Sequence, residues 1–472
     1  MSFDVDASRV AAVRHRLIIR HERPGRVAVV ADLGTGELRL PEVITDDHHT
    51  ADVDYINAAV AQVFALRTTV LRSLSHGEPI DGIVDRTHEL ELHGEGATVP
   101  ANLRWCAVAD LAVLADLEDQ RAVARWLATC ASDDGVDDGR AWARPGWFDV
   151  ARGWIEQAMR DGKRAAPLEI RQLRTWASSC VLQVATHAGD YYFKALPSSG
   201  VVEWAVTNYL AENFIDTVPH IVATQPERRW LLMAACPGRS LEEITDVALW
   251  ERAASQYGRL QVACSARVDA LKQLGCPVRD LDALARSIES LVQDSDALRL
   301  GQAGGLTNDE FERFARLAPI LRRRCGELAA SGIPSTIEHG DLWPGNIFVD
   351  AQSCVVIDWE DVAIAQPFFS LAPLQVGLIN AGHGSRANIE RLERAYLAAF
   401  ARFGSPVDLQ RALRLAIPLC FLEMAARYRR QPPSVVLLHP WMRDLVPQTV
   451  RLALSRIQDG DLLDRGVLDQ TT

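Results

Sequence analysis

The stretch HGDLWPGN at residues 339–346 guides the interpretation of the whole chain. Asp341 and Asn346 stand five residues apart in it, and Pro344 and Gly345 between them favour a tight course that is not helical. Such a loop can aim a carboxylate and an amide at one point. Asp and Asn beside glycine and proline are ordinary turn formers when they stand alone, so the stretch needs a second signal.

That second signal is the stretch VVIDWED at residues 355–361. Its first three residues form an apolar run that predicts a short buried strand, and Asp358 follows directly. A carboxylate at the end of a strand is well placed to bind Mg²⁺, which prefers oxygen ligands. Phosphoryl transfer needs acidic and amide metal ligands and a carboxylate near the attacking hydroxyl. The two stretches together therefore predict a phosphoryl-transfer site.

HGDLWPGNIF followed by VVIDWED resembles the catalytic and metal-binding segments of the aminoglycoside phosphotransferase and choline kinase-like families. The resemblance runs from about residue 170 to the C-terminal region. It implies an α+β, bilobal protein-kinase-like fold with a β-rich N-lobe and a helical C-lobe. It also implies that Asp341 is the catalytic base, that Asn346 and Asp358 bind Mg²⁺, and that His339 is a structural member of the catalytic loop.

The same resemblance implies the reactants. ATP is the expected phosphoryl donor, with GTP left open, and the expected acceptor is a hydroxyl group of a small molecule. Aminoglycosides, macrolides, amino sugars, choline-like and homoserine-like molecules all remain open, because fold alone does not choose a substrate.

The family pattern also places a lysine on a strand upstream of the catalytic loop. Lys194 in DYYFKALP is flanked by apolar residues, and burial of its ammonium group would cost free energy unless it were paired. Its expected partner is Glu203 at the start of a helical stretch, with Glu212 as the competitor. The alternative is that Lys194 is a solvated charge on an edge strand.

Two further segments are candidates for nucleotide binding. Residues 174–179 lie between two predicted strands where the resemblance places the phosphate-covering loop, so Ser178 and Ser179 are expected to offer hydroxyl and N–H groups. An ordinary hairpin turn is nearly as good an interpretation. The stretch WLLMAACPG resembles the interlobe hinge, which makes Met233, Ala234 and Cys236 candidates for the adenine pocket.

One position departs from the family pattern. Related sequences commonly carry an acidic residue after the metal-binding strand, where it anchors the catalytic loop from below. Ser370 takes that place in the stretch AQPFFSLA. The resemblance therefore leaves the hydrogen bonding beneath the loop in doubt.

Changes of pattern along the chain predict three regions. They are a small α+β N-terminal domain at 1–160, the β-rich N-lobe at 168–235, and the helical C-lobe with the catalytic loop at 236–460. The N-terminal domain resembles a Nudix domain in outline, because strands surround a helix near residues 53–66.

That helix is expected to bury Ile56, Val60, Val63 and Phe64. It lacks the row of glutamates with which a working Nudix helix binds magnesium, so the domain is predicted to be non-catalytic. Asp52 and Asp54 are interpreted as helix-dipole residues. His48 and His49 are interpreted as part of a solvated loop rather than a metal site.

Composition excludes several classes of function. A formal net charge of -12 and a pI near 5.5 argue against a nucleic-acid or anionic-membrane surface. Residues 1–17 show no secretory signal, and no stretch approaches 18 uncharged apolar residues. Nine scattered cysteines without a C-x-x-C pair favour a reducing cytoplasm.

Two other functions are alternatives to a kinase. One is a catalytically weak or inactive kinase-like protein that binds nucleotide and transmits a signal. Retention of Lys194, Asp341, Asn346 and Asp358 together favours catalysis, because a binding module has no need of Asp341. The other rival is a Nudix-type hydrolase, which the missing glutamates disfavour.

Overall fold

The structure is a computed structural model that describes residues 12–21, 25–31, 35–94, 100–133, 139–198, 202–214 and 216–457. The described chain divides into two compact units. Unit 1 contains the residues up to Trp204, with Ile221–Ala235 and Pro433–Pro440, and unit 2 contains Ala205–His220, Cys236–Pro432 and the residues from Trp441 onward. None of the helices within these ranges is long and apolar enough to cross a bilayer.

The first sheet of unit 1 has seven strands among the described residues. They follow the order β3-β2-β1-β6-β5, with β4 on β1 and β7 on β2, and β1 runs parallel to β6. The strands are β1 (Ala12–Arg20), β2 (Arg26–Ala31), β3 (Leu38–Arg39), β4 (Glu42–Thr45), β5 (Arg67–His76), β6 (Ile83–His93) and β7 (Leu103–Ala107).

Helix α1 (Asp54–Phe64) covers one face of this sheet. Ile56, Val60 and Phe64 are buried against strand residues as predicted, but Val63 is 55% exposed. The prediction for Val63 is wrong, because this residue lies outside the apolar cluster that α1 forms with the sheet. Helix α2 (Leu117–Asp133) packs in a second cluster with β1 and β2.

The second sheet of unit 1 is antiparallel, with the strand order β11-β12-β10-β9-β8. Helix α3 (Trp147–Asp161) packs on it, and Ala151 and Ile155 share a core with Leu182 and Phe193. The buried face of α3 thus belongs to the core of this sheet, although the sequence prediction places most of the helix in the N-terminal domain. The strands are β8 (Glu169–Thr175), β9 (Cys180–Thr186), β10 (Gly189–Ala195), β11 (Ile221–Gln225) and β12 (Trp230–Ala234).

Unit 2 is mainly helical, and α11 is its most buried long helix, with an unbroken buried run over 416–427. Helix α8 (Asn308–Ala329) begins at a capping box, in which Thr307 and Glu310 satisfy each other's backbone N–H groups. The remaining helices are α4 (Glu203–Asn213), α5 (Val247–Cys264), α6 (Val268–Gln273), α7 (Leu281–Val292), α8 (Asn308–Ala329), α9 (Leu371–Leu378), α10 (Arg386–Leu397), α11 (Pro406–Tyr428), α12 (Pro433–Leu438, in unit 1) and α13 (Leu445–Ser455).

Two small sheets frame the loop of interest in unit 2. Strands β15 (Ile347–Val349) and β16 (Cys354–Val356) form an antiparallel hairpin, to which β13 (Arg239–Ser240) adds a third strand. Strand β16 corresponds to the buried strand predicted before Asp358. Strand β14 (Thr336–Glu338) pairs antiparallel with β17 (Ala363–Ala365). The HGDLWPGN loop therefore connects one sheet directly to the other.

Candidate functional site

The loop at residues 339–346 turns sharply at Gly340. This residue has a φ of +82°, and a Cβ atom there would lie 2.3 Å from the carbonyl oxygen of Asp361. Only glycine satisfies both conditions. The turn brings Asp341 out of β14, and a short 3₁₀ turn over Pro344–Asn346 then leads into β15.

His339 ties the loop to the segment that precedes Asp358. The backbone N–H of Asp341 donates to Nδ1 of His339 over 3.2 Å, so Nδ1 is the unprotonated nitrogen of the neutral ring. Nε2 then carries the proton and donates it to the carbonyl oxygen of Ile357 over 2.9 Å. The buried imidazole therefore fixes the separation of the two predicted catalytic segments.

Asn346 and Asp358 stand side by side at the open end of the β15–β16 hairpin. The N–H of Ile357 donates to the carbonyl oxygen of Asn346 over 2.9 Å, which aligns the residues that follow. The Asn346 side-chain amide nitrogen donates to the carbonyl oxygen of Asp341 over 2.9 Å and faces its Oδ2 at 3.4 Å. The amide oxygen of Asn346 is thus the atom that a cation would bind.

Asp358 itself adopts a left-handed backbone conformation, with φ +64° and ψ +59°. Aspartate tolerates this region better than most residues, at a cost on the order of 1–3 kcal/mol. One carboxylate and one amide oxygen fit Mg²⁺, which takes few protein ligands and completes its octahedron with water and phosphate oxygens. Within the described residues there is no cluster of three or more His, Cys, Asp or Glu side chains that could hold a metal.

The carboxyl group of Asp341 has an unusual environment. Burial raises its pKa to about 7, with further upward contributions from the nearby carboxylates of Asp361 and Asp358 and an opposing one from Arg427. A carboxylate with a pKa near neutrality is suited to accept a proton from a substrate hydroxyl.

Sequence analysis missed Arg427, which holds the loop from the side of α11. Its guanidinium donates to the carbonyl oxygen of Gly340 over 2.6 Å and forms ion pairs with Asp361 at 2.7 Å and Glu423 at 3.0 Å. The side chain is only 8% exposed. Glu423 and Arg427, four residues apart inside the apolar stretch IPLCFLEMAARY, were the available signal for this buried pair.

Glu338, which was also not predicted, supplies the hydrogen bonding beneath the loop that Ser370 had left in doubt. Glu338, fully buried at the end of β14, accepts a hydrogen bond from the Ser370 hydroxyl over 3.0 Å and another from the N–H of Gly340. Gln261 donates to Ser370 over 3.1 Å, and Tyr257 accepts the N–H of His339 over 3.1 Å. A carboxylate thus supports the catalytic loop from below, but it comes from position 338 rather than 370.

A double substitution tests whether the carboxylate of Glu338 takes the place of an acidic residue at position 370. We expect Ser370→Asp alone to destabilise the protein, because burial already raises the pKa of Glu338 and a second carboxylate would lie against the first. Combining it with Glu338→Ala should recover about 1–3 kcal/mol relative to the sum of the single changes. Urea unfolding of the four proteins in this cycle measures the coupling. If the changes in the free energy of unfolding of the two single variants simply add in the double variant, Glu338 does not replace an acidic residue at position 370.

In unit 1, Lys194 and Glu203 form a close, buried ion pair. The Nζ atom lies 2.6 Å from Oε1 of Glu203, and the side chains are 10% and 4% exposed. Glu203, rather than Glu212, is therefore the partner of Lys194. The edge-strand alternative is wrong, because β10 is the central strand of its sheet and Lys194 is paired with Val181 and Leu231 on either side.

The other residues predicted to contact the nucleotide lie in three segments of the chain. Ser178 and Ser179 are in the turn between β8 and β9, which the N–H of Trp176 closes by donating to the carbonyl oxygen of Ser179 over 2.8 Å. Met233 and Ala234 end β12, and Cys236 begins the next segment of unit 2. Burial raises the pKa of the Cys236 thiol to about 11, so it is a neutral group at physiological pH.

A model of the phosphotransferase enzyme family matches residues 172–411, just over half of the chain. The chain belongs to the phosphotransferase enzyme family. The region of this phosphotransferase that matches contains the paired Lys194 and the whole loop at residues 339–346. Family membership and the sheet-rich N-terminal and helical C-terminal parts confirm the predicted fold class.

Solved structures resemble this phosphotransferase at low identity. A choline/ethanolamine kinase family protein from Mesorhizobium loti is 15% identical, with 67% of this chain and 96% of that chain covered and a TM-score of 0.45. Choline kinase from Cryptosporidium parvum is 14% identical, with 66% and 95% covered and a TM-score of 0.47. A spectinomycin phosphotransferase in complex with ADP and spectinomycin is 12% identical, with 64% and 98% covered and a TM-score of 0.42.

Among curated protein sequences there is no match. The family match begins at residue 172 and so leaves out the N-terminal domain. The Nudix-like resemblance of that domain accordingly stays a prediction.

Proposed function

We propose that this phosphotransferase moves the γ-phosphoryl group of ATP to a hydroxyl group of a small molecule. The observation that carries the proposal is the grouping of Asp341, Asn346 and Asp358, which His339 and the β15–β16 hairpin hold together. This set contains a carboxylate suited to accept a proton beside two oxygen donors suited to Mg²⁺. Phosphoryl transfer depends mainly on such positioning and charge neutralisation.

Each residue of the site then has a role. Asp341 accepts the proton of the acceptor hydroxyl as that oxygen attacks the γ-phosphorus and the bond to the β-phosphate oxygen breaks. Asn346 and Asp358 hold Mg²⁺, which when bound neutralises charge on the phosphates. Lys194, oriented by Glu203, binds the phosphates of the nucleotide.

The remaining assignments complete the nucleotide site. Ser178 and Ser179 cover the phosphates, and Met233, Ala234 and Cys236 contact the adenine. The domain scheme of 1–160, 168–235 and 236–460 assigns these groups to the N-lobe and the start of the C-lobe. The nine cysteines all lie within the described residues and form no disulfide bond there, which supports a reducing cytoplasmic location.

The proposal is tested by measuring ATP consumption in the presence of a panel of small hydroxylated compounds. Binding of Mg-ATP is measured in parallel by calorimetry. We expect one class of acceptor to stimulate ATP consumption well above the rate without acceptor. If the protein binds Mg-ATP but no compound stimulates turnover, a regulatory nucleotide-binding role gains support. If Mg-ATP does not bind, the proposed function is wrong.

A further inference from the structure

The edge strand of the second sheet, β8, is covered by backbone from the N-terminal domain. The N–H of Val53 donates to the carbonyl oxygen of Leu173, and the N–H of Thr175 donates to that of Ala51, both over 2.9 Å. Between these bonds, Asp52 forms an antiparallel bridge with Arg174. Residues 51–53 thus act as an additional short strand, which satisfies an edge that would otherwise be open.

Side chains strengthen the same junction. Gln172, which is 5% exposed, accepts the N–H of Val70 over 2.7 Å and donates to the carbonyl oxygen of Val70 over 2.8 Å. The ion pair of Asp52 with Arg174, at 2.9 Å, is substantially exposed, so it contributes less than the buried amide. Asp52 is therefore part of this junction rather than a helix-dipole residue.

The turn that follows β8 is held by aromatic rings of unit 1. The ring of Trp176 lies with its centroid 4.0 Å from that of His439 and 5.8 Å from that of His49. Nδ1 of His439 is 2.7 Å from the hydroxyl oxygen of Thr50. His49 is thus half-buried against Trp176, whereas Asp47 and His48 in the same loop are exposed as predicted.

Together these contacts fix the β8 end of the β8–β9 turn from outside its own sheet. Backbone pairing holds Arg174 and Thr175, and the ring contacts hold Trp176, which closes the turn onto Ser179. Connecting turns are usually the more mobile parts of a sheet. A turn whose groups must already point at a phosphate binds more tightly, because less conformational entropy is lost on binding.

We infer that residues 49–53 of the N-terminal domain, together with His439, which contacts Thr50 and packs on Trp176, form a positioning element for the β8–β9 turn and thereby raise the affinity for nucleotide. The affinity part of this inference rests on the proposed function, in which Ser178 and Ser179 cover the phosphates. The domain acts on the turn without contributing a catalytic residue of its own.

The experiment compares two histidine substitutions in the full-length protein. His439→Ala removes the ring that packs on Trp176. His21→Ala is the matched control, since His21 forms a similar ring pair with Trp105, 4.6 Å between centroids, in the first sheet. Amide hydrogen exchange at residues 177–179 reports the turn directly, and calorimetry with the magnesium complex of a non-hydrolysable ATP analogue reports the affinity.

We expect His439→Ala and Trp176→Ala to accelerate exchange at 177–179 and to weaken binding of the analogue roughly three- to tenfold, the range of an aromatic contact. Trp176→Phe should restore most of the affinity, and His21→Ala should match the wild type in both measurements. The inference is overturned if His439→Ala and Trp176→Ala leave exchange and affinity as in the wild type. It is also overturned if the control changes them equally.

The experiment distinguishes a failure of the proposed function from a failure of this inference. If the wild type does not bind the analogue, the proposed function and the affinity part of the inference both fail. The exchange rates at residues 177–179 then still decide whether the contact between Trp176 and His439 holds the turn.

Discussion

Replacing Asp341 by asparagine is expected to lower kcat about 10²- to 10⁴-fold, the usual contribution of a general base. The amide retains the size of the carboxylate and can still lie beside Asn346, but it cannot accept the proton of the acceptor hydroxyl. Affinity for Mg-ATP should change little. Steady-state kinetics with the acceptor found by screening, together with calorimetry, separates the two effects.

The same substitution should not destabilise the protein. Because burial and the carboxylates of Asp361 and Asp358 raise the pKa of Asp341, the ionised form is disfavoured in the folded state at neutral pH. A neutral side chain removes that repulsion, so the melting temperature should stay the same or rise. Loss of activity without loss of stability identifies a chemical role.

Asp350→Asn is the matched control, because Asp350 lies nine residues further along the chain, in the turn of the β15–β16 hairpin. Its carboxylate accepts the N–H groups of Gln352 and Ser353, both over 2.7 Å, and has no contact with the catalytic loop. We expect nearly full activity from this variant. Equal losses of kcat in the two variants, or full activity in Asp341→Asn, would show that Asp341 is not the catalytic base.

Replacing Arg427 by methionine should produce the largest loss of stability. The change leaves Glu423 and Asp361 without their closest cation, and the carbonyl oxygen of Gly340 without its donor. Removing one partner of a buried ion pair typically costs about 3–5 kcal/mol. Arg279 lies 3.6 Å from Glu423 and 3.9 Å from Asp361, so we expect the lower end of that range.

Arg429→Met provides the comparison at the same end of α11. Arg429 pairs with Asp294 at 2.5 Å, but this side chain is partly exposed, so the loss should stay below about 1 kcal/mol. Urea unfolding of both variants gives the difference in the free energy of unfolding. A similar small loss in both would show that the Arg427 network does not stabilise the loop.

The residues that sequence analysis found share a physical property. Glycine and proline shape the loop at 339–346 locally, and an apolar run predicts the strand before Asp358. These residues can therefore be predicted from the sequence around them. The pairing of Lys194 with Glu203 also spans only nine positions, which a strand and the first turn of the next helix can bridge.

The supporting residues have no such local signature. Arg427 reaches Gly340 across 87 positions, and Gln261 reaches Ser370 across 109. Glu338 resembles an ordinary polar residue in the sequence, and only its burial beneath the loop reveals a contact with Ser370. Val63 shows the same limit, because a helical stripe does not say how far the neighbouring sheet will extend over it.

Residue type and spacing were enough to predict a phosphotransferase and the order of its segments, because they control the geometry of a tight loop and of a strand end. The contacts that hold these segments in place became visible only in the folded chain. It placed a carboxylate at 338 instead of 370, a buried arginine on α11 behind Gly340, and the N-terminal domain against β8. These contacts join residues that are far apart in the sequence. They form only when the chain packs, so no short stretch of residues predicts them.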